Sequence, residues 1–200
     1  MPKIEEWRGI RGLVAAEVLT DDAETFECGT PFAVAGVAEL TRTTESSSEA
    51  HYYDNVPAVV IDSTGADEVT IAVSALPFDV QAKITGQYYD QATGMFVEGE
   101  RENKYYAIGY ITKKTSGAEV FVWRLKGKFN IPDSTHNTED DGTEANGQEL
   151  VFSGVNTSHK FTVNGEKKTA KAVNVDTSIG KQDETAFFAT VQTPDTVKTA

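Results

Sequence analysis

Residues Gly117–Asp133 read GAEVFVWRLKGKFNIPD and alternate with a period of two. A period of two is that of a β-strand, whose successive side chains point to opposite faces. The stretch therefore predicts a long, half-buried antiparallel strand whose outer face is basic, with Arg124, Lys126 and Lys128 on it. The predicted apolar face consists of Phe121, Trp123, Leu125 and Phe129.

The segment before this strand makes it one arm of a hairpin. Lys104–Lys114 (KYYAIGYITKK) is also rich in aromatic and β-branched residues, and it ends at the turn residues Thr115, Ser116 and Gly117. Two such runs joined by a short Gly-containing turn predict a long β-hairpin with an aromatic inner face.

Further alternating runs in the first half of the chain predict more strands. Phe32–Glu45 reads as a long strand, and the polar, aromatic segment Ser46–Asn55 after it reads as a loop or as the tip of a hairpin. Val56–Asp62 and Glu68–Ala75 are β-branched runs, and Ser63–Ala66 between them predicts a turn. The fold class predicted from these patterns is mainly β.

One segment predicts a helix. Ala75–Gly86 places Leu76, Val80 and Ile84 four residues apart, which is one apolar stripe of an α-helix. Pro77 suits a first helical position and Gly86 suits a C-terminal stop. We expect this single helix, at about residues 75–86, to flank a sheet.

The second half of the chain ends in loops and short elements. Asn130–Gly147 is a long acidic segment, Asn164-Gly165 is a strong hairpin-turn signal, and Glu184–Val191 reads as a short helix. No linker divides the sequence, so residues 1–200 read as one domain. In that domain the N-terminal segment 1–11 and the C-terminal tail from about 176 to 200 are possible arms.

Composition and charge narrow the class of protein. The 200 residues carry a formal net charge of −13, which argues against tight binding to nucleic-acid phosphates. The single cysteine, Cys28, has no partner for an internal disulfide, and the N-terminus lacks a signal-peptide core. No apolar run approaches a membrane span. We therefore expect a soluble, intracellularly synthesised protein without membrane insertion.

Catalytic and metal-binding patterns are missing from the sequence. The three histidines, His51, His136 and His159, lie far apart and have no nucleophile motif beside them. Phosphate-cradling Gly-rich motifs, a G-x-S-x-G motif and Cys/His zinc spacings do not occur. We expect no enzymatic activity, no cofactor and no metal site.

An ordered set of short motifs resembles a known family. A G-T-P sequence precedes an apolar strand, an S-S-E-x-x-Y-type segment follows, and an L-P-x-x-V-Q-A helix and a V-W-x-x-K-G-K-F hairpin come later. The set resembles the major tail proteins, or tail tube subunits, of long-tailed siphophages of Gram-positive bacteria. The segments that carry this resemblance are Gly12–Val18, Gly29–Ala38, Ser46–Asp54, Ala75–Gly86, Tyr88–Gly94 and Tyr105–Phe129.

The resemblance implies a β-sandwich or barrel-like subunit of the tail-tube type with one flanking helix and long loops. It also implies a structural virion protein that self-assembles into hexameric rings, which stack into a tube through which DNA is ejected. The implied partners are further copies of the chain, the tape-measure, distal tail and tail-terminator proteins, and double-stranded DNA as passing cargo without sequence-specific binding. The implied location is the virion tail, with host cytoplasm during assembly.

Two sets of residues are candidates for this role. The polar face of the strand Phe32–Glu45 is a candidate lumen surface, opposite Val34, Ala38 and Leu40 on the core side. Exposed aromatics and acids after this strand and in the acidic loop are candidates for contacts between subunits. The lumen candidates are Glu39, Thr41, Thr43 and Glu45, and the contact candidates are Ser47, Glu49, Tyr52, Tyr53, Asp54, Glu139, Asp140 and Asp141.

Two other classes of protein stay open from the sequence. One is the tube protein of a contractile secretion-type system, which assembly behaviour would distinguish from a phage tube. The other is a carbohydrate-binding β-sandwich, which requires an aromatic cleft and glycan binding by the isolated monomer.

Overall fold

The computed structural model describes residues 4–138 and 146–197. These residues form a mainly antiparallel β fold with two short helices, as the alternating sequence predicts. The strands are β1 (Trp7–Asp21), β2 (Phe26–Cys28), β3 (Phe32–Ala33), β4 (Val37–Tyr53), β5 (Val56–Val73), β6 (Tyr88–Asp90), β7 (Met95–Val97), β8 (Tyr106–Lys114), β9 (Glu119–Phe129), β10 (Asp133–Ser134), β11 (Gln148–Gly154), β12 (Phe161–Val163), β13 (Glu166–Lys168) and β14 (Ala172–Asp176). The helices are α1 (Phe78–Thr85) and α2 (Glu184–Ala189).

Ten of these strands join one curled sheet, a half-barrel. Its main order is β2-β1-β8-β9-β11-β5-β4, while β3, β10 and β14 pair with β1, β11 and β9. Two small hairpins, β6–β7 and β12–β13, form separate two-stranded sheets that are not paired with the large sheet. Both long hairpins belong to the large sheet. The β8–β9 hairpin lies at its centre and the β4–β5 hairpin lies at its edge.

The sheet separates two hydrophobic cores. The inner core fills the concave side and combines buried side chains of α1 with those of β1, β5, β8, β9 and β11. The outer core covers the other face of β8 and β9 with β12, α2 and the segments around them. The central hairpin is therefore buried on both faces, and β9 is not half-buried as its alternation predicts.

A β-bulge in β9 changes which side chains share a face. Tyr106 and Ile108 lie two residues apart on β8, whereas their partners Gly127 and Arg124 lie three apart on β9. An extra residue in one strand reverses the alternation beyond it. Phe129 therefore packs in the inner core, while the three other residues of the predicted apolar face pack in the outer core: Phe121, Trp123 and Leu125.

The predicted basic face of β9 was wrong for the same reason. Arg124, before the bulge, points to the concave side and is only 6% exposed. Lys126 and Lys128, beyond the bulge, point to the opposite side, where their amines lie 4.8 and 4.6 Å from the Tyr105 ring centroid. Lys126 also forms an ion pair with Asp21.

The β4–β5 hairpin is longer and more continuous than predicted. β4 runs on to Tyr53, so the segment Ser46–Asn55 is mostly strand and ends in the hairpin turn, which is the second of its two predicted forms. The predicted turn at Ser63–Ala66 was wrong, because β5 passes through it. The residues that predict a turn form a bulge instead, since Asp67 and Thr64 pair with β4 residues only two apart.

Helix α1 follows its sequence signals closely. Gly86 takes a left-handed φ of 70° and ends the helix, and its N–H donates to carbonyl oxygens of the last turn. Leu76, Val80 and Ile84 are all buried in the inner core. Pro77 is the N-cap residue rather than the first helical one, so the predicted position is shifted by one residue.

Both ends of the described chain contact the sheet. β1 begins at Trp7, so residues 7–11 of the N-terminal segment belong to a strand that pairs with β8. In the C-terminal tail, the Asp183 side chain caps α2, and Phe187 packs in the outer core. Asn164 and Gly165 have positive φ and join β12 to β13, which confirms that predicted turn.

Within residues 4–138 and 146–197, no helix is both long and apolar enough to cross a membrane. Over the same ranges, no three His, Cys, Asp or Glu side chains come together in a way that would hold a metal ion.

Candidate assembly surface

The far half of the β4–β5 hairpin, residues 45–65, is here named the distal hairpin. Its strands pair with each other, whereas the neighbouring strand β11 pairs with β5 only from Asp67 to Val73. At its end, Asp54 and Asn55 have φ of 51° and 64°, the left-handed values of a two-residue hairpin turn. The Ser47 and Ser63 hydroxyls form a cross-strand hydrogen bond of 2.8 Å.

Large apolar side chains of the distal hairpin lie exposed. Tyr52 is 66% exposed and Tyr53 is 63% exposed, and the aliphatic residues of β5 opposite them are about half exposed or more: Val56, Val59, Val60 and Ile61. Five predicted contact residues are found on this exposed hairpin: Ser47, Glu49, Tyr52, Tyr53 and Asp54. Large apolar side chains exposed in this number on one hairpin are typical of a protein interface.

β4 is also an edge of the sheet. It spans 17 residues, and among the described residues its one strand partner is β5. An edge strand presents unpaired N–H and C=O groups that can pair with another chain. Glu139, Asp140 and Asp141, the remaining predicted contact residues, lie outside the described residues.

Three of the four predicted lumen residues lie on one face of the sheet. Glu39, Thr41 and Thr43 are exposed, and their cross-strand partners on β5 continue the same polar face onto β11. Glu45 is exposed further along β4, at the base of the distal hairpin. We name this surface the acidic face, and it consists of Glu39, Thr41, Thr43, Glu68, Thr70, Ala72, Glu149, Val151 and Ser153.

The predicted strand Phe32–Glu45 is interrupted, since β3 ends at Ala33 and β4 begins at Val37, and its predicted core side is only partly found. Val34 is buried and Leu40 is half-buried against the inner core. Ala38 is exposed, because β4 has one extra residue between the pairs Val37–Val73 and Glu39–Ala72. Ala38 therefore lines an open cleft rather than packing in the core.

The cleft has a volume of about 990 Å³ and opens on the concave side of the half-barrel. Apolar walls come from β1, β4 and β9, including Ile10, Leu40, Val120 and Val122. Its floor carries a group of ionised side chains that we name the Asp67 cluster: Arg42, Asp67, Arg124 and Lys171.

In the Asp67 cluster, three cations share one carboxylate. Arg124 Nη1 lies 2.8 Å from Asp67 Oδ2, and Lys171 Nζ lies 3.3 Å from Asp67 Oδ1. Arg42 Nη1 is 3.7 Å from Asp67 Oδ2 and 2.8 Å from Thr44 Oγ1. Arg124 Nε also donates to the Tyr110 hydroxyl at 3.2 Å. The cluster holds two more positive than negative charges.

Asp67 stays ionised in this setting. Burial by itself raises the pKa of its carboxyl, but the hydrogen bonds with Thr44 and Lys171 and the charges of Lys171 and Arg124 outweigh that effect. The pKa of Asp67 is therefore lowered below its ordinary value.

Sequence reasoning missed the Asp67 cluster. Asp67 and Arg124 are 57 residues apart, and no local motif joins them. One signal was present, because Asp67 shares the buried alternation of β5 with Val69 and Ile71. A buried aspartate in that series requires a cationic partner.

Comparison with known protein families identifies the family of this chain. The family model described as phage tail tube protein matches residues 37–178, which include the β4–β5 and β8–β9 hairpins. No curated protein matches the chain. Because the matched segment covers more than half of the sequence, the chain belongs to the phage tail tube protein family, a family of structural proteins of the virion tail.

Proposed function

We propose that this tail tube protein assembles into hexameric rings that stack into the hollow tube of a long-tailed phage infecting Gram-positive bacteria. Double-stranded DNA passes through that tube during ejection into the host. The observation that carries the proposal is the 17-residue edge strand β4 with its exposed distal hairpin. Such an edge is an aggregation liability in a monomer, and pairing with another copy removes it.

Contacts between different surfaces of identical subunits support a closed ring. The distal hairpin and the rest of the subunit are unlike surfaces, so a contact between them is heterologous. A heterologous contact gives a ring when the rotation closes and a filament when it does not. A tube of stacked rings contains both kinds of contact. The contact around the ring closes, and the contact along the tube axis repeats without closing.

The acidic face is the proposed lumen surface. Glu39, Glu68 and Glu149 lie on neighbouring strands of this face and are all exposed. A wall of the same charge sign as the DNA phosphates repels them, so passing DNA does not adhere. The DNA is cargo and its sequence is not read.

A tube of defined length requires other proteins that start it, measure it and end it. The proposed partners are further copies of this chain, together with tape-measure, distal tail and tail-terminator proteins. Assembly takes place in the host cytoplasm. The role requires neither catalysis nor a cofactor.

Electron microscopy of the purified protein tests the proposal. We expect rings or tubes in negative stain and a high-mass species by light scattering at high concentration and virion-like salt. A variant with Tyr52→Ser and Tyr53→Ser should remain folded and lose these assemblies. A wild-type chain that stays monomeric, and is not found as a tube in any particle, would refute the proposed function.

A charge reversal tests the lumen assignment separately. Tubes made with Glu39→Lys and Glu68→Lys should retain duplex DNA at physiological salt, because the wall no longer repels phosphates. The matched control carries Glu27→Lys and Glu98→Lys, the same change of charge at exposed positions away from the acidic face. Equal DNA retention by the two variants would place the acidic face outside the lumen.

A further inference from the structure

The Asp67 cluster on the floor of the cleft carries two more positive than negative charges, and the one acidic side chain besides Asp67 among the lining residues is Glu39. Arg124 and Lys171 contact the one carboxylate of the cluster closely, whereas Arg42 lies 3.7 Å away with its side chain 49% exposed. The chain as a whole carries a charge of −13, so a site with two surplus positive charges stands out from the rest of the surface. Its apolar walls favour a partner that also buries hydrophobic side chains.

We propose that this cleft receives the distal hairpin of a second copy of the chain, and this inference rests on the proposed tube function. The distal hairpin carries four exposed carboxylates, Glu45 at its base and Glu49, Asp54 and Asp62 further along. Exposed apolar side chains lie among them: Tyr52, Tyr53, Val56, Val59, Val60 and Ile61. Acidic and apolar groups on the hairpin thus match cationic and apolar groups in the cleft.

The hairpin of the same chain does not serve as this occupant. Thr44 and Thr64, at the base of the distal hairpin, line the rim of the cleft, and the paired strands run on from there to Tyr53. Nine residues of strand at about 3.3 Å each place the turn roughly 30 Å from its own cleft. The contact therefore joins two copies and is heterologous, which is the relation that builds rings and filaments.

A charge swap tests the pairing of these two surfaces. Arg42→Glu should raise the protein concentration needed for tube formation at least about tenfold, because like charges then face each other across the contact. Glu49→Lys combined with Asp62→Lys should do the same from the hairpin side. All three substitutions in one chain should restore assembly toward wild type.

Lys167→Glu is the matched control, since it makes the same change of charge at an exposed position on the β12–β13 hairpin. If wild type and this control form no tubes, the proposed function has failed. If they form tubes and Arg42→Glu forms them equally well, the cleft inference alone has failed. Loss of tubes in the cleft variant without recovery in the triple variant would also refute it.

A disulfide between two tagged copies provides a second readout. In a Cys28→Ser background, one copy carries Ala38→Cys in the cleft and the other carries Ala50→Cys at an exposed position of the hairpin. Oxidation of mixed tubes should give a dimer containing both tags, whereas Lys167→Cys in place of Ala38→Cys should not. Absence of the first dimer, or equal yields of both, would contradict the contact.

Inorganic phosphate distinguishes a free-anion site from a protein contact. Millimolar phosphate should shift the thermal midpoint of the dilute wild-type protein by the same amount, within about one degree, as it shifts the midpoint of Arg42→Glu. A rise in the midpoint that only the wild type shows would indicate a small-anion site and overturn the assignment of the hairpin as occupant.

Discussion

The β8–β9 and β4–β5 hairpins are long antiparallel pairs in one sheet, yet they are used in opposite ways. The first lies in the middle of the sheet and is buried on both faces, between the inner and outer cores. The second lies at the edge, and its distal half is exposed on both faces although it carries tyrosine, valine and isoleucine. The β8–β9 hairpin stabilises the subunit, whereas the β4–β5 hairpin leaves apolar side chains exposed, on the surface that we propose contacts another copy.

The two tryptophans provide the largest contrast in stability. Trp123 on β9 is fully buried and its Nε1 donates to the Phe187 carbonyl at 3.2 Å, whereas Trp7 is 67% exposed. Trp123→Ala should lower the free energy of unfolding by about 3–5 kcal/mol, because it leaves a large cavity. Trp7→Ala should change it by less than about 0.5 kcal/mol. Urea denaturation followed by circular dichroism measures both, and similar midpoints would contradict the assignment of β8–β9 as the stabilising hairpin.

Asp67 and Asp62 compare a buried and an exposed position on the same strand. Asp67→Asn should cost about 3 kcal/mol at pH 7, because Arg124 and Lys171 lose their shared counter-charge in a buried site. Asp62→Asn should be nearly neutral, since Asp62 is exposed.

The Asp67 effect should also depend on pH in a defined direction. Its pKa is lowered in the folded chain, so its stabilising contribution is complete above the unfolded aspartate pKa of about 3.9. The contribution is lost as the pH falls through the lowered folded pKa. The stability difference between wild type and Asp67→Asn should stay constant from pH 7 to pH 5 and shrink below about pH 4. A difference that grows on acidification would contradict the ion-pair account.

The sequence predicted the β8–β9 hairpin, the helix α1 and the turn at Asn164-Gly165, because each depends on a local pattern. For β4–β5 it left the hairpin as one of two alternatives and divided β5 by a turn that the structure does not contain. It did not predict how the faces of β9 are divided, because the β-bulge next to Gly127 reverses the alternation and the only local signal for it is that glycine inside the strand. It likewise placed Arg124 on an outer surface, because its partner Asp67 is distant in sequence. The exposed runs of β4 and β5 read as ordinary strands, since alternation identifies a face but not what covers it.

Substitution of one glycine in each hairpin tests the same contrast, with a smaller expected change in stability. In β9, a Cβ at Gly127 would meet the Phe152 ring and lie 2.6 Å from the Ser153 carbonyl oxygen. In β5, a Cβ at Gly65 would meet the Glu45 side chain, whose carboxylate oxygen lies 2.7 Å away and can swing into solvent. Gly127→Ala should therefore destabilise by about 1–3 kcal/mol and Gly65→Ala by less than about 1 kcal/mol. Equal thermal midpoints for the two variants would show that the crowding at Gly127 relaxes.

The tyrosines of the distal hairpin should show the smallest change in stability. Tyr52→Ser with Tyr53→Ser removes side chains that are 66% and 63% exposed, so the free energy of unfolding should change by less than about 0.5 kcal/mol. Assembly should nevertheless be lost, because aromatic side chains of this kind contribute about 2 kcal/mol or more each when they become buried in an interface. Tyr88→Ser is a control of equal chemistry, since Tyr88 on β6 is 61% exposed and lies outside the hairpin. Sedimentation of tubes, measured beside the denaturation midpoints, separates the two effects. A double variant that unfolds early would make the distal hairpin part of the subunit's own stability, and one that sediments as wild type would remove its tyrosines from the contact between copies.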